Sequence, residues 1–75
     1  MKEERVFEYL ADALAYAKNK HPEFPDDPKV GFVIIAEEML ELCRAINDGE
    51  GEMRMVDEAL HVAVTALRFV QARKA

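Results

Sequence analysis

Hydrophobic positions recur at helical spacing in three segments of the chain, and Pro and Gly residues separate these segments. Residues 2–19 contain neither Gly nor Pro, and their apolar positions repeat every three or four residues, which predicts a first helix. Three prolines between His21 and Pro28 predict a loop. Asp26 or Asp27 could cap the next helix, with Pro28 in its first turn.

The second helix is expected over about residues 28–46, because the Gly-containing segment 47–51 predicts a turn. A third helix is expected over about residues 52–73, where positive charge accumulates at the C-terminal end. Nothing in the pattern repeats internally. The sequence therefore predicts a single all-α domain, residues 1–75, built from three helices.

On a helical wheel of about 100° per residue, the second and third helices each have one polar face. The polar arc of the second helix holds Glu37, Glu38, Glu41, Arg44 and Asp48. The apolar positions opposite are Phe32, Ile35, Ala36, Met39, Leu42, Cys43 and Ile46. Cys43 is accordingly expected to be a small buried hydrophobic residue.

The polar stripe of the third helix is narrow, and apolar residues cover the rest of its circumference. The stripe holds Arg54, Asp57, Glu58, His61, Thr65 and Arg68. An apolar arc well over about 180° is more than one neighbouring helix can cover. We therefore expect the third helix to pack against its own chain and against a second chain, in a helical bundle formed by dimerisation or tetramerisation.

Composition narrows the class of protein further. The net charge of -5 argues against a nucleic-acid polymer as partner, since phosphate binding needs a basic surface. Uncharged apolar runs such as Gly31–Ala36 are too short to cross a membrane. The segment Met1–Arg5 carries acids and no following apolar block, unlike a signal peptide. A single cysteine excludes an intramolecular disulfide, and we expect a small cytoplasmic protein.

The acidic block of the second helix suggests a metal site. Glu37 and Glu38 lie one helical turn from Glu41, and such like-charge pairs destabilise a helix by roughly 0.2–0.5 kcal/mol each. A divalent cation such as Mg²⁺ would offset this repulsion, because it takes carboxylate oxygens as ligands. Glu58 and His61 have the same i, i+3 spacing on the facing helix. The alternative is that both polar stripes are solvated surfaces.

The two acidic blocks resemble a known pattern. An E-E-x-x-E block followed on the next helix by E-x-x-D is similar to the all-α nucleoside triphosphate pyrophosphohydrolases, the MazG-like family and its dimeric dUTPase relatives. The first block is intact as Glu37–Glu41, and the second reads Glu58–His61, with sixteen residues between Glu41 and Glu58. The resemblance covers about residues 30–70 and is greatest to small phage-type members.

This resemblance implies a helical bundle of two or more chains that hydrolyses a nucleoside triphosphate to the monophosphate and pyrophosphate with Mg²⁺ or Mn²⁺. It implies that Glu38, Glu41 and Glu58 are metal ligands. It also implies that Glu37 is a ligand or positions the attacking water. An alternative is a catalytically inactive helical oligomer of the same fold that serves as a binding module.

The chain departs from the family pattern at His61, which occupies the position of the aspartate. Three interpretations are open: His61 ligates a softer metal than Mg²⁺, forms a hydrogen bond beside three carboxylate ligands, or marks a site that has lost hydrolysis. Further along the stripe, Thr65 and Arg68 could contact a substrate phosphate. A capping or surface role is the alternative for this pair.

Overall fold

The chain folds into three α-helices joined by two short connections. The computed structural model describes residues 1–74, and side chains through residue 73. Helix α1 spans Glu3–Lys20, α2 spans Pro28–Asn47 and α3 spans Glu52–Lys74. No strand occurs in the described part of the chain. The predicted all-α layout is confirmed, and each helix boundary lies within one residue of its predicted position.

The start of α2 follows from two adjacent residues. Asp27 is the N-cap, and its carboxylate accepts a hydrogen bond from the backbone N–H of Lys29 at 2.9 Å. This bond satisfies one of the donors that a helix leaves unpaired at its N-terminus. Pro28 occupies the first turn, where its missing N–H costs no helical hydrogen bond. Of the two predicted caps, the structure therefore selects Asp27.

The turn after α2 is a glycine-dependent helix ending. Gly49 adopts a φ of 62°, and its N–H donates to the carbonyl of Ile46 at 3.3 Å. The N–H of Glu50 reaches back to the carbonyl of Ala45 at 3.0 Å. These two bonds form a Schellman motif, which ends a helix where a left-handed residue is tolerated. The turn reverses the chain, so that α3 returns antiparallel along α2.

Helix α3 is the central element, because it packs against both α1 and α2. Within the described residues, α1 and α2 do not pack against each other. These two intramolecular neighbours cover part of the apolar arc of α3, while Val56 is 38% and Val70 is 51% exposed. The expectation that a second chain packs along this helix stays a prediction.

Arg68 fixes the end of α1 and the proline loop to α3. Its side chain is buried, and its Nη2 donates to the carbonyl of His21 at 2.7 Å. The Nη1 donates to the carbonyl of Ala17 at 3.5 Å, and the guanidinium lies 5.4 Å from the centre of the Phe24 ring. Arg68 thus supplies a donor to the carbonyl of His21 just beyond α1, and a second, longer bond to the carbonyl of Ala17, which also accepts from the N–H of His21.

The close approach of α2 to α3 depends on Gly31. A Cβ atom at this buried position would lie 2.9 Å from Cδ2 of Phe69 and 3.2 Å from Cε2 of Phe24. Both distances are shorter than ordinary carbon contacts of about 3.5–4.0 Å. The absence of a side chain at Gly31 therefore lets the two aromatic rings fill the space between the loop, α2 and α3.

The face of α2 that packs inward differs from the predicted one. Its buried and half-buried positions are Gly31, Ile34, Ile35, Glu38, Leu42 and Ala45. Several residues expected inside are instead on the surface: Phe32 is 64% exposed and Met39 is 55% exposed. The prediction that Cys43 is buried is also wrong, since Cys43 is exposed. The helix is rotated so that Ile34 and Glu38 join the predicted Ile35 and Leu42 on the inward face, with Gly31 and Ala45 buried near its two ends.

This rotation leaves an apolar surface uncovered on α2. The exposed residues that continue it are Phe32, Ala36, Met39, Cys43 and Ile46, with Val33 and Leu40 beside them. We call these seven residues the outer seam of α2. By contrast, Ala45 and Val64 are the fully buried apolar side chains found within residues 1–73. None of the helices in this part of the chain combines the length and apolar character needed to cross a membrane.

Candidate metal centre

Helices α2 and α3 bring two carboxylates and one imidazole together between them. Glu38 comes from the inward face of α2, while Glu58 and His61 are one turn apart on α3. One ligand atom from each of the three residues lies within 4.8 Å of the others. The antiparallel turn thus unites parts of the two sequence blocks, as their spacing predicts.

The histidine ring lies equally close to the two glutamates. Nδ1 of His61 is 3.7 Å from Oε2 of Glu38 and 3.7 Å from Oε1 of Glu58. These separations exceed the length of a hydrogen bond, so the ring does not satisfy either carboxylate directly. They leave a space that is bordered by three metal-ligating side chains.

Burial makes this arrangement costly for a chain without a bound cation. Glu58 is 1% exposed, and its Oε2 atom has no hydrogen-bond partner. Oε2 of Glu38 is likewise buried without a partner. A buried carboxylate oxygen that lacks a partner costs free energy, because it gives up its hydration without compensation. A cation in the space between them would supply the missing interaction.

The surroundings of both glutamates favour the neutral form of the carboxyl group and raise its pKa. Burial raises the pKa of Glu58, and the hydrogen bond that Glu58 and the neighbouring Glu41 carboxyl make when one of them is protonated raises this pKa further. Arg54 and His61 oppose the rise without cancelling it. Burial also raises the pKa of Glu38, with further contributions from nearby carboxylates and an opposing one from His61. Two carboxyls with raised pKa values beside one imidazole are typical of a site built to hold a cation or a proton.

Arg54 is a site residue that the sequence patterns did not single out. Its Nη1 atom lies 3.3 Å from Oε1 of Glu58, and its Nε atom lies 3.3 Å from Oε1 of Glu50. The guanidinium therefore offers partial compensation to the buried carboxylate from the solvent side. The i, i+4 spacing of Arg54 and Glu58 was the available signal, since residues at this spacing meet on a helix surface.

The remaining predicted site residues lie at different distances from this centre. Glu37 and Glu41 are exposed on α2, and Glu41 is close enough to raise the pKa of Glu58.

The hydroxyl of Thr65 donates to the carbonyls of His61 at 3.0 Å and Val62 at 2.9 Å. Its proton is therefore used within α3 in this structure, and its role at a phosphate stays a prediction.

The structure places Arg68 away from the acidic cluster. It lies seven residues beyond His61, which is about 10 Å along a helix axis. Its guanidinium is buried against Phe24 and the carbonyls that end α1. The structure therefore gives Arg68 a role in holding the fold together, and does not bring it to Glu38 and Glu58.

The donor set determines the chemistry that is available here. Two carboxylate oxygens and one imidazole nitrogen are sufficient for a divalent cation with coordination positions left for water or a substrate oxygen. Comparisons of this chain with protein families, with curated proteins and with solved structures found no match. The site is therefore defined by the positions and burial of Glu38, Glu58 and His61.

Proposed function

We propose that the protein hydrolyses nucleoside triphosphates to the monophosphate and pyrophosphate with the help of a divalent cation, Mg²⁺ or Mn²⁺. The observation that carries the proposal is the cluster of Glu38, Glu58 and His61, in which the Glu58 carboxylate is buried with its Oε1 atom toward the His61 ring and its Oε2 atom unpartnered. The resemblance of the two acidic blocks to the MazG-like family supplies the reaction. The net charge of -5 makes a cation necessary, because carboxylates alone repel a triphosphate.

We assign each side chain of the site a role according to its position. Glu38, Glu58 and His61 hold the cation at the α2–α3 interface, and Glu41 adds negative charge from the rim. Glu37, on the exposed side of α2, orients the attacking water or completes the ligand set. When bound, the cation neutralises phosphate charge and lowers the pKa of water in its coordination shell. Arg54 balances the charge of Glu58 from the solvent side.

The proposal includes a second copy of the chain as partner. Phe32, Ala36, Met39, Cys43 and Ile46 follow one another at alternating intervals of four and three residues. A 3.5-residue repeat of apolar positions is the pattern by which two helices pair along their length. Exposed on a small chain, this outer seam fits an identical seam related by twofold symmetry. A homotetramer would use further exposed apolar residues.

The cytoplasm is the location that we propose with this activity. It is the compartment that contains nucleoside triphosphates, and it keeps a lone exposed thiol such as Cys43 reduced.

Pyrophosphate release from a panel of ribo- and deoxyribonucleoside triphosphates, with Mg²⁺ and then with Mn²⁺, tests this function. We expect release from at least one nucleotide and its loss in Glu58→Gln, which keeps the shape of the side chain but removes its charge. Asp57→Asn is the matched control, because Asp57 is exposed and adjacent in sequence. Release that is unchanged in Glu58→Gln would contradict the proposal.

A second candidate function is a catalytically inactive oligomer that binds a partner. The exposed outer seam of α2 favours it, because an apolar helix face can serve an interaction without any chemistry at the acidic cluster. Absence of pyrophosphate release with every nucleotide and both cations, from a correctly folded oligomer, would support this candidate.

A further inference from the structure

The donor set of the acidic cluster identifies the class of cation more narrowly than the sequence does. We propose that Glu38, Glu58 and His61 form a site for a transition-metal dication that accepts imidazole and tetrahedral geometry, Zn²⁺ in particular, in preference to Mg²⁺. The inference deepens the proposed function and rests on its first step, the binding of a divalent cation by these residues. It does not require that nucleotides are hydrolysed.

The position of His61 is the first argument. Its Nδ1 atom is 3.7 Å from a carboxylate oxygen of each glutamate, so the ring nitrogen borders the same space as both oxygens. Imidazole nitrogen is a common ligand of Zn²⁺ and suits other first-row metals, whereas Mg²⁺ takes oxygen ligands almost exclusively. A cation that used both glutamates would therefore lie beside a donor that Mg²⁺ uses poorly.

The spacing of the ligand atoms is the second argument. Two ligands about 2.1 Å from one ion are roughly 3.4 Å apart in tetrahedral geometry. In the near-ideal octahedral geometry that Mg²⁺ demands, adjacent ligands are only about 3.0 Å apart. The observed 3.7 Å between His61 and each glutamate is closer to the tetrahedral value. Small side-chain movements suffice for a three-ligand site with one position open to water.

Burial of Glu58 is the third argument, and it is independent of the histidine. At 1% exposure, with Oε2 lacking any partner, this carboxylate faces the cluster and not the solvent. Mg²⁺ gives up its hydration water reluctantly and usually retains several water molecules. Such a bulky hydrated ion fits poorly against a carboxylate that is enclosed between two helices. A cation that exchanges water for protein ligands readily fits better.

Titration calorimetry on the full chain, freed of metal with a chelator, tests this preference with Zn²⁺, Mn²⁺ and Mg²⁺ separately. We expect Zn²⁺ to bind at least tenfold more tightly than Mg²⁺, and Mn²⁺, which also favours octahedral oxygen ligands, to bind less tightly than Zn²⁺. In His61→Asp, which makes every ligand an oxygen, Zn²⁺ affinity should fall by at least about tenfold, as it does when even outer-shell partners are lost. Mg²⁺ affinity should not fall. Asp57→Asn should change neither value.

The ¹⁵N resonances of the His61 ring provide a readout that does not depend on a variant. Zn²⁺ should shift the Nδ1 signal, and Mg²⁺ should not. Equal affinity for the three cations, an unchanged Zn²⁺ to Mg²⁺ ratio in His61→Asp, or Zn²⁺ binding without an Nδ1 shift would each overturn the inference.

Parallel measurement of pyrophosphate release separates the two proposals. Transition-metal preference without release contradicts the hydrolytic function and supports the inference about the site. Release with equal binding of all three cations contradicts only the inference.

Discussion

Oε2 of Glu38 and Oε2 of Glu58 come from facing helices, and both atoms are buried without a hydrogen-bond partner. The His61 ring lies 3.7 Å from an oxygen of each residue without bonding to either. Two carboxylates in this position oppose the packing of α2 on α3, since each loses hydration and repels the other. The same relationship favours a cation, so stability and metal binding are coupled at this interface.

The first prediction is that Glu38→Gln stabilises the metal-free protein. Replacing this carboxylate removes repulsion from Glu41 and Glu58, worth about 0.5 kcal/mol or more in the free energy of unfolding. A cation at 100 times its dissociation constant should stabilise the natural protein by about 2.7 kcal/mol and the variant by much less. Urea unfolding with and without Mn²⁺ measures both effects.

Asp57→Asn is the control for this comparison, because Asp57 is exposed on α3. Its free energy of unfolding should stay within about 0.5 kcal/mol of the natural protein in both conditions. If Glu38→Gln were equally neutral, and Mn²⁺ stabilised both variants alike, Glu38 would be a surface residue with no role at the cluster.

The helix boundaries could be predicted from the sequence because local residues determine them. Asp27 and Pro28 start α2, and Gly49 ends it, through bonds within a few residues of each position. The approach of the two acidic blocks could also be predicted from the sequence. A short turn between two helices makes them antiparallel neighbours, which brings residues before and after the turn close together.

The rotation of α2 could not be predicted, because its inward face is not its most hydrophobic one. Gly31 and Ala45 are buried on the inward face, where small residues allow close packing, and Glu38 lies on this face although it is charged. Counting apolar residues favours the side of Phe32 and Met39, which a single chain leaves exposed. The contacts of Arg68 with His21 and Phe24 could not be predicted either, because they depend on the path of the proline loop and not on residue spacing within α3.

The raised pKa values of Glu38 and Glu58 predict how stability depends on pH. Above the ordinary pKa of 4.5, the folded chain still holds protons that the unfolded chain has released. Stability of the metal-free protein should therefore fall as pH rises from about this value through the raised pKa values, and level off above them.

Urea midpoints from pH 4.5 to 8 for the natural protein and for the double variant Glu38→Gln/Glu58→Gln measure this contribution. The difference in stability between the two should grow in favour of the double variant as pH rises. A difference that is constant across this range would show that the two carboxyls titrate at the same pH in the folded and unfolded chains.

Arg54→Gln should weaken the metal-free protein and strengthen cation binding. The guanidinium lies 3.3 Å from Glu58 and partly neutralises it, so its removal leaves more negative charge for a cation to meet. Because the Arg54 side chain is about half exposed, solvent screens the effect, and Mn²⁺ should bind only about two- to fivefold more tightly. Arg44→Gln, at an exposed position of α2, is the control. Weaker Mn²⁺ binding in Arg54→Gln would mean that Arg54 orients Glu58 and does not compete with the metal.

Gly31→Ala should destabilise the fold in spite of the higher helix propensity of alanine. The new Cβ would meet Phe69 at 2.9 Å and Phe24 at 3.2 Å, so an aromatic ring must move. Overpacking of this kind costs about 1–3 kcal/mol, against a gain of about 1 kcal/mol in propensity. Thermal unfolding should show a lower midpoint, and Phe69→Leu should be less harmful in the Gly31→Ala background than alone. Independent effects of the two substitutions would contradict contact at this position.

The last prediction concerns the outer seam of α2. If a second copy covers it, sedimentation equilibrium should find a dimer at micromolar concentration, and the free energy of unfolding should rise with protein concentration. Met39→Glu places a charge at the centre of the seam and should yield a monomer, because a buried unpaired carboxylate is costly. Phe7→Glu is the control, since Phe7 is 61% exposed on α1, outside the seam. If the natural protein stays monomeric, the proposal that a second copy covers the outer seam is contradicted, and the seam would be a binding surface for another partner. A tetramer that Met39→Glu reduces to a dimer would place the seam in one of two interfaces.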